Sequence, residues 1–148
     1  MRPLRHQAQV LAGRAALALL FLAAAPRHFS AEGIQHAAEL GVPFAPLLVP
    51  ASGVMAVAGG LSVLLGYRAR QGAWVLIAFL VPVTAMMHQF WTVADPAWRH
   101  VQLAMFAKNV ALVGALLHVA WFGAGPLSAD AVRARSPAGG AAGSGAPA

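Results

Sequence analysis

"FAKNVALVGALL", residues 106–117, sets a lysine and an asparagine side by side inside a run otherwise as apolar as a membrane helix. The solvent around this run matters, because Lys108 is ordinary on a water-facing helix and costly in hydrocarbon. A cation at the centre of a bilayer costs about 2.5 to 3.5 kcal/mol on insertion scales. The rest of the chain points to hydrocarbon. Of its 148 residues 59% are hydrophobic and 9% charged, and the mean hydropathy is +0.68, a composition unsuited to a water-soluble surface.

Outward from that stretch, four apolar segments near residues 8–26, 44–66, 72–90 and 101–122 suit a bilayer core. Such a core needs roughly 20 helical residues. The first follows "MRPLRHQ" and stops at Pro26; the second enters through Pro43 and Pro46 and ends at Gly66. "YRARQ" turns the chain into the third, where Pro82 should free the carbonyl of Ala78 and kink the helix. Gly123 and Pro126 close the fourth. These spans predict an all-α, integral membrane four-helix bundle over residues 1–130. From residue 131, "AVRARSPAGGAAGSGAPA" has no apolar face to bury and reads as a disordered tail over 131–148.

The net charge of +6 does not point to nucleic acid, because its Lys and Arg residues are scattered between apolar runs and form no continuous basic face. They read as topology signals. Arg2, Arg5, Arg68, Arg70, Arg133 and Arg135 fall on one side of the bilayer, against Arg27 and Arg99 on the other. The expected location is therefore the plasma membrane, multi-pass, with both termini cytoplasmic. A cleavable signal peptide ending at "AAA" (23–25) is the competing reading of the first segment; Arg14 within it and Pro26 directly after it argue against cleavage. The absence of cysteine excludes disulfides, thiolate metal sites and covalent haem attachment.

Between the first two spans, "RHFSAEGIQHAAELGVP" (27–43) places Ile34, Ala37, Ala38 and Leu40 on one helical face. It predicts a short amphipathic helix at the outer surface, capping the bundle. Glu32 and Glu39 on it read as solvated rather than as an acid–base pair. Small residues recur at helical spacing in Ser52, Ala56 and Gly60 and in Ala107, Ala111 and Ala115. Both stripes are expected to let helices approach closely inside the bundle.

Five polar residues lie within the spans: Arg14, His88, Lys108, Asn109 and His118. Helical rise puts Lys108 and His88, with Asn109, in the outer half as a candidate polar pocket, and Arg14 and His118 in a second layer toward the cytoplasm. His88 and His118 differ in depth by roughly 20 Å, too far to sandwich one haem, so haem is disfavoured. No His/Asp/Glu cluster has metal-ligand spacing, which predicts no metal. No acidic residue lies within any span, so Arg14 and Lys108 need other partners. For Lys108 these are helix-end carbonyls, Asp95 or Glu39 reaching in from the loops, or a carbonyl-bearing or anionic ligand such as a quinone. Snorkelling, or a purely structural hydrogen bond, is the plainer alternative.

Taken together, "AGRAALALLFLAAA" (12–25), "ELGVP" (39–43), "GGLSVLLGYRAR" (59–70), "MHQFW" (87–91) and "FAKNVALVGALL" followed by "FGAGPLSAD" (122–130) resemble the DoxX family of small bacterial four-helix membrane proteins, over roughly residues 10–130. The resemblance implies that Arg14, His88, Lys108 and Asn109 match recurrent polar positions of the family. It also implies a biology, since relatives have been described as the membrane subunit of a thiosulfate:quinone oxidoreductase and as the membrane partner of a superoxide dismutase and a sulfurtransferase. Relatives often carry a glutamate just before the paired glycines of the second helix, where this chain has "VMAVAGG" (54–60), and a glycine and lysine where it has "PRHF" (26–29).

Two functions follow. One is an accessory or quinone-interacting subunit in redox or sulfur metabolism, with Lys108 and His88 at a quinone headgroup. The other is a non-catalytic scaffold for partner proteins. A small-solute transporter is disfavoured because the four segments show no inverted repeat.

Overall fold

The structure, a computed structural model, describes residues 2–135. Helix α1 (Arg2–Ala24) runs into a 3-10 turn (Ala25–Phe29), followed by α2 (Ala31–Glu39), α3 (Ala45–Leu65) and α4 (Ala69–Met87). A second 3-10 turn (Phe90–Thr92) precedes α5 (Pro96–Phe122) and the short α6 (Ala129–Arg135). Among the described residues there is no strand. Four helices, α1, α3, α4 and α5, are long and apolar enough to cross a membrane.

Local chemistry sets the boundaries, and several differ from the sequence reading. The last span begins at Pro96 rather than near 101 because Asp95 is its N-cap, its carboxylate accepting from the Trp98 amide at 2.8 Å, with Pro96 pre-set at the first helical position. The third span covers 69–87 rather than 72–90, so His88 is its C-terminal cap residue and not part of the helix. Residues 131–135, expected in the tail, are helical. Ser128 starts α6 by accepting from the Ala131 amide at 3.1 Å, and the rest of the expected tail, 136–148, lies outside the described residues.

Helix α3 packs between α1 and α4, and α4 packs on α5. The core between them holds Ala18 and Phe21 of α1, Ala56 and Val63 of α3, Ala73, Leu76, Phe79 and Leu80 of α4, and Leu116 of α5. Of the two small-residue stripes, the one in α3 behaves as expected: Ala56 and Gly60 are buried and Ser52 half-buried. The one in α5 does not, for Ala107, Ala111 and Ala115 are all exposed. A smaller core of Ala37, Ala45 and Val49, with Ile34, Val42 and Met87 against it, fastens α2 across one end of the bundle.

Candidate functional site

Helix α2 lies where the amphipathic pattern of 27–43 put it, and its start is well defined. Ser30 Oγ accepts from the Gly33 amide at 3.0 Å and donates to the Arg27 carbonyl at 3.0 Å, tying the helix to the preceding 3-10 turn. That turn presses on α3 at Gly53, where an added Cβ would stand 2.7 Å from His28 Cβ and 2.8 Å from Phe29 Cζ. Only glycine permits the approach, and it brings His28 against α3.

Beneath α2 lies a cavity of about 490 Å³. Its apolar wall comes from Val49 and Met55 of α3 and from Phe79, Val83, Met86 and Met87 of α4. Its polar groups are Arg27, His28, His36, Ser52, His88 and Gln102. Leu48, Ala51, Ala78 and Pro82 line it and are also exposed, and all four belong to membrane-spanning helices. The cavity therefore reaches the outer surface of the spanning helices, and it is bordered as well by Arg27 and His36, which are exposed on the loop side. Pro82 lacks the amide that would bond the Ala78 carbonyl, so the helix leaves an acceptor without its donor in this wall.

Two imidazoles are oriented by fixed partners. His88 Nδ1 lies 2.8 Å from Gln102 Oε1. An amide oxygen can only accept, so Nδ1 carries the proton and Nε2 of the neutral ring is an acceptor. His28 Nδ1 lies 2.9 Å from Ser52 Oγ, whose own hydrogen goes to the Val49 carbonyl at 2.7 Å. Ser52 must then accept from His28, which fixes the same tautomer there. The His28 ring also meets Phe79 edge to face at 5.4 Å between centroids.

Of the expected pocket His88, Lys108 and Asn109, only His88 lines this cavity. Asn109 is turned into the bundle, 4% exposed, whereas Lys108, its neighbour in sequence, stands exposed on the far side of α5. The loop carboxylates considered as its partners are used elsewhere: Asp95 caps α5 and Glu39 accepts from Gln35 Nε2 at 3.0 Å. The residues missed in the sequence are His28, His36, Ser52 and Gln102. Two of them, His28 and His36, sit in the loop between the first two spans, and the amphipathic reading of that loop located its helix without showing that its underside roofs a cavity.

The second expected layer also separates. Arg14 is 5% exposed and donates to the carbonyls of Ala124 and, at 2.7 Å, Leu127, while its Nε has no partner among the described residues. His118 is exposed on α5 and bonds only one turn back, to the Gly114 carbonyl at 3.1 Å. Around Arg14 the chain after α5 is strapped to the end of the bundle. The Asp130 carboxylate accepts from the amides of Arg68, at 2.8 Å, and Ala69, at 3.1 Å, capping α4 from a distant part of the sequence. No group of three His, Asp or Glu side chains among the described residues could hold a metal ion.

Four apolar spanning helices, roofed at one end by a short helix and strapped at the other by the chain after the last span, define a small multi-pass integral membrane protein. The chain belongs to the DoxX family, which it matches over residues 9–89, from α1 through His88. It is similar to the inner membrane protein YphA of Escherichia coli, at 29% identity over 123 residues, 82% of this chain and 87% of the relative. No solved structure matches it. It is accordingly a multi-pass protein of the inner membrane, in contact with the lipid bilayer. The family match ends before α5, so Lys108 and Asn109 lie beyond it.

Proposed function

We propose that the cavity under α2 receives the headgroup of a lipid-soluble carbonyl or hydroxyl compound of the quinone class, and that the protein is an accessory, quinone-interacting subunit in redox or sulfur metabolism. The observation that carries this reading is the cavity's mouth. Exposed apolar residues of spanning helices border it, and His88 and Gln102 are among the polar groups that line the same cavity. A volume near 490 Å³ suits a ring and the first part of an isoprenoid tail, within the range of about 300 to 1,000 Å³ usual for ligand pockets. A quinone supplies two-electron redox chemistry when bound. For its part, the chain offers His88 Nε2 as an acceptor for a hydroxyl proton and the Gln102 amide as a donor to a carbonyl oxygen.

In this reading Lys108 is not a ligand of the headgroup, and His88 takes the central place. The α2 end faces outward and both termini lie in the cytoplasm, as the arginine distribution argues. The scaffold reading draws on a different observation, the exposed face of α5 around Lys108, and the two do not exclude each other.

The test is mass spectrometry of protein extracted gently from its own membrane, with His88→Leu and Gln102→Leu beside the wild type. Quinone carried by the wild type and lost from well-folded variants supports the proposal. A wild type that carries none, even after incubation with a long-chain ubiquinone or menaquinone, defeats it.

A further inference from the structure

Helix α5 is 27 residues long, yet only Asn109 and Leu116 on it are buried. Its inward positions, Gln102, Phe106, Asn109, Leu112, Leu116 and Ala120, follow the three-four spacing of one helical face and meet α4 and the 3-10 turn before α5. Between residues 103 and 117 two exposed flanks differ in side-chain size, although the exposed Phe122 and His118 lie in line with the smaller one nearer the C-terminal end. One flank carries Leu103, Val110, Leu117 and Trp121, large apolar side chains 43%, 54%, 45% and 77% exposed, as a lipid-facing surface should. The other carries Ala104, Lys108, Ala111 and Ala115, all exposed and within about 60° of one another around the axis. Beside them an added Cβ on Gly114 would meet nothing within 4 Å.

This second flank is wrong for lipid. Lys108 lies one residue from the midpoint of Pro96–Phe122, and Arg99, on the same helix, is nine residues away, about 14 Å along the axis. A lysine side chain reaches about 6 Å, which leaves the ammonium about 8 Å short of the level of Arg99. It has no hydrogen bond or ion pair among the described residues. A cation held within a spanning helix calls for a carboxylate or carbonyl at its own depth, and small neighbours let another backbone come close enough to supply one.

A second copy of this chain cannot supply the carboxylate. Its acidic residues are Glu32, Glu39, Asp95 and Asp130, all outside the spanning segments. Pairing two copies through this face would set lysine near lysine. We infer that the face of α5 formed by Ala104, Lys108, Ala111 and Ala115 seats a transmembrane helix of a different protein, one that sets an aspartate or glutamate against Lys108. The inference is independent of what the cavity under α2 binds, because α5 contributes only Gln102 to that cavity, from its other side.

The experiment uses the full chain in its native membrane, with the photoreactive residue p-benzoylphenylalanine in place of Ala104 or Ala115, and of Val110 as the lipid-facing control. After illumination the joined peptides are sequenced by mass spectrometry. The expected adducts from Ala104 and Ala115 lie on a membrane-spanning segment of another protein that carries Asp or Glu at the depth of Lys108. Their yield falls roughly tenfold in Lys108→Met and in Lys108→Gln and survives Lys108→Arg. Lys108→Glu combined with the partner's acid changed to lysine restores it. Adducts joining two copies of this chain, adducts to lipid alone from the small-residue face, a partner helix without an acid, or a yield indifferent to Lys108→Met each overturn the inference. Monodisperse elution of the Lys108 variants shows that the fold is intact, as expected for an exposed side chain with no hydrogen bond or ion pair among the described residues.

Discussion

Arg14, midway along the first spanning helix, donates to the carbonyl of Leu127 at 2.7 Å, across 113 residues of chain. A buried guanidinium on a spanning helix is thus met by backbone carbonyls at two of its three nitrogens. The turn after α5 is the place to find free carbonyls, since Gly123 to Leu127 are not helical and precede the first carbonyl of the α6 ladder, that of Ser128. The first and last parts of the fold are clamped together by one side chain.

Replacing Arg14 with Met leaves the carbonyls of Ala124 and Leu127 without their donor. Each buried acceptor so orphaned costs about 1 to 3 kcal/mol. The segment from Ala124 to Val132 should then exchange its amide hydrogens faster than in the wild type, with the Asp130 amide, bonded to the Gly66 carbonyl at 2.9 Å, among those affected. Arg14→Lys should recover part of the protection, since an ammonium offers donors without the planar fork that spans two carbonyls. Unchanged exchange in Arg14→Met would show that the strap holds without it.

Asp130 caps a helix that cannot cap itself, because the residue at the start of α4 is Arg68 with a backbone φ of 49° and no side-chain oxygen to offer. Asp130→Ala should lower stability by about 1 kcal/mol, the usual worth of a lost N-cap. Asp130→Asn, which keeps one acceptor, should lose less. Thermal unfolding in detergent, read by circular dichroism, measures both.

Hydrophobic run length made the four spans legible, because a bilayer imposes one length on every helix that crosses it. The short outer helix was legible through the three-four spacing of Ile34, Ala37 and Ala38. Side-chain direction was not. Lys108 and Asn109 are adjacent in sequence, so they point about 100° apart on a helix, and one faces the bundle while the other faces away. Grouping them as one pocket treated neighbours in sequence as neighbours in space. Likewise the spacing of Ala107, Ala111 and Ala115 suits close approach, but spacing alone does not say whether that side of α5 faces the bundle, and all three are exposed. Ser128 three residues before Ala131 was a legible start signal for α6, hidden by the small polar composition that follows.

Gly66 and Gly114 should respond in opposite directions to the same substitution. Gly66 ends α3 at a φ of +65°, and a Cβ there would stand 2.4 Å from Ser128 Cβ. Gly66→Ala meets about 1 to 2 kcal/mol of left-handed backbone cost, and crowding against the strap adds to it. Gly114 is mid-helix with open space, so Gly114→Ala in the isolated protein should be neutral or stabilising by up to about 1 kcal/mol. Melting temperatures of the two variants, measured side by side in one detergent, should straddle the wild type.

Sidedness can be read directly because the chain has no cysteine of its own to interfere. The end that carries the α3–α4 turn and α6 gathers Arg68, Arg70, Arg133 and Arg135, with Arg5 near the start of α1, and Arg68 and Arg133 both lie over the Tyr67 ring, at 5.8 Å and 5.5 Å. The other end has Arg27 and Arg99 beside Glu32, Glu39 and Asp95. Lysine and arginine are retained on the cytoplasmic side during insertion, so the arginine-rich end should face the cytoplasm. A membrane-impermeant maleimide applied to intact spheroplasts should label Glu32→Cys, on the exposed surface of α2, and leave Gln71→Cys, at the start of α4, unlabelled until the membrane is opened. The reverse pattern would turn the bundle over, placing the mouth under α2 in the cytoplasmic half of the bilayer and the strap held by Arg14 outside.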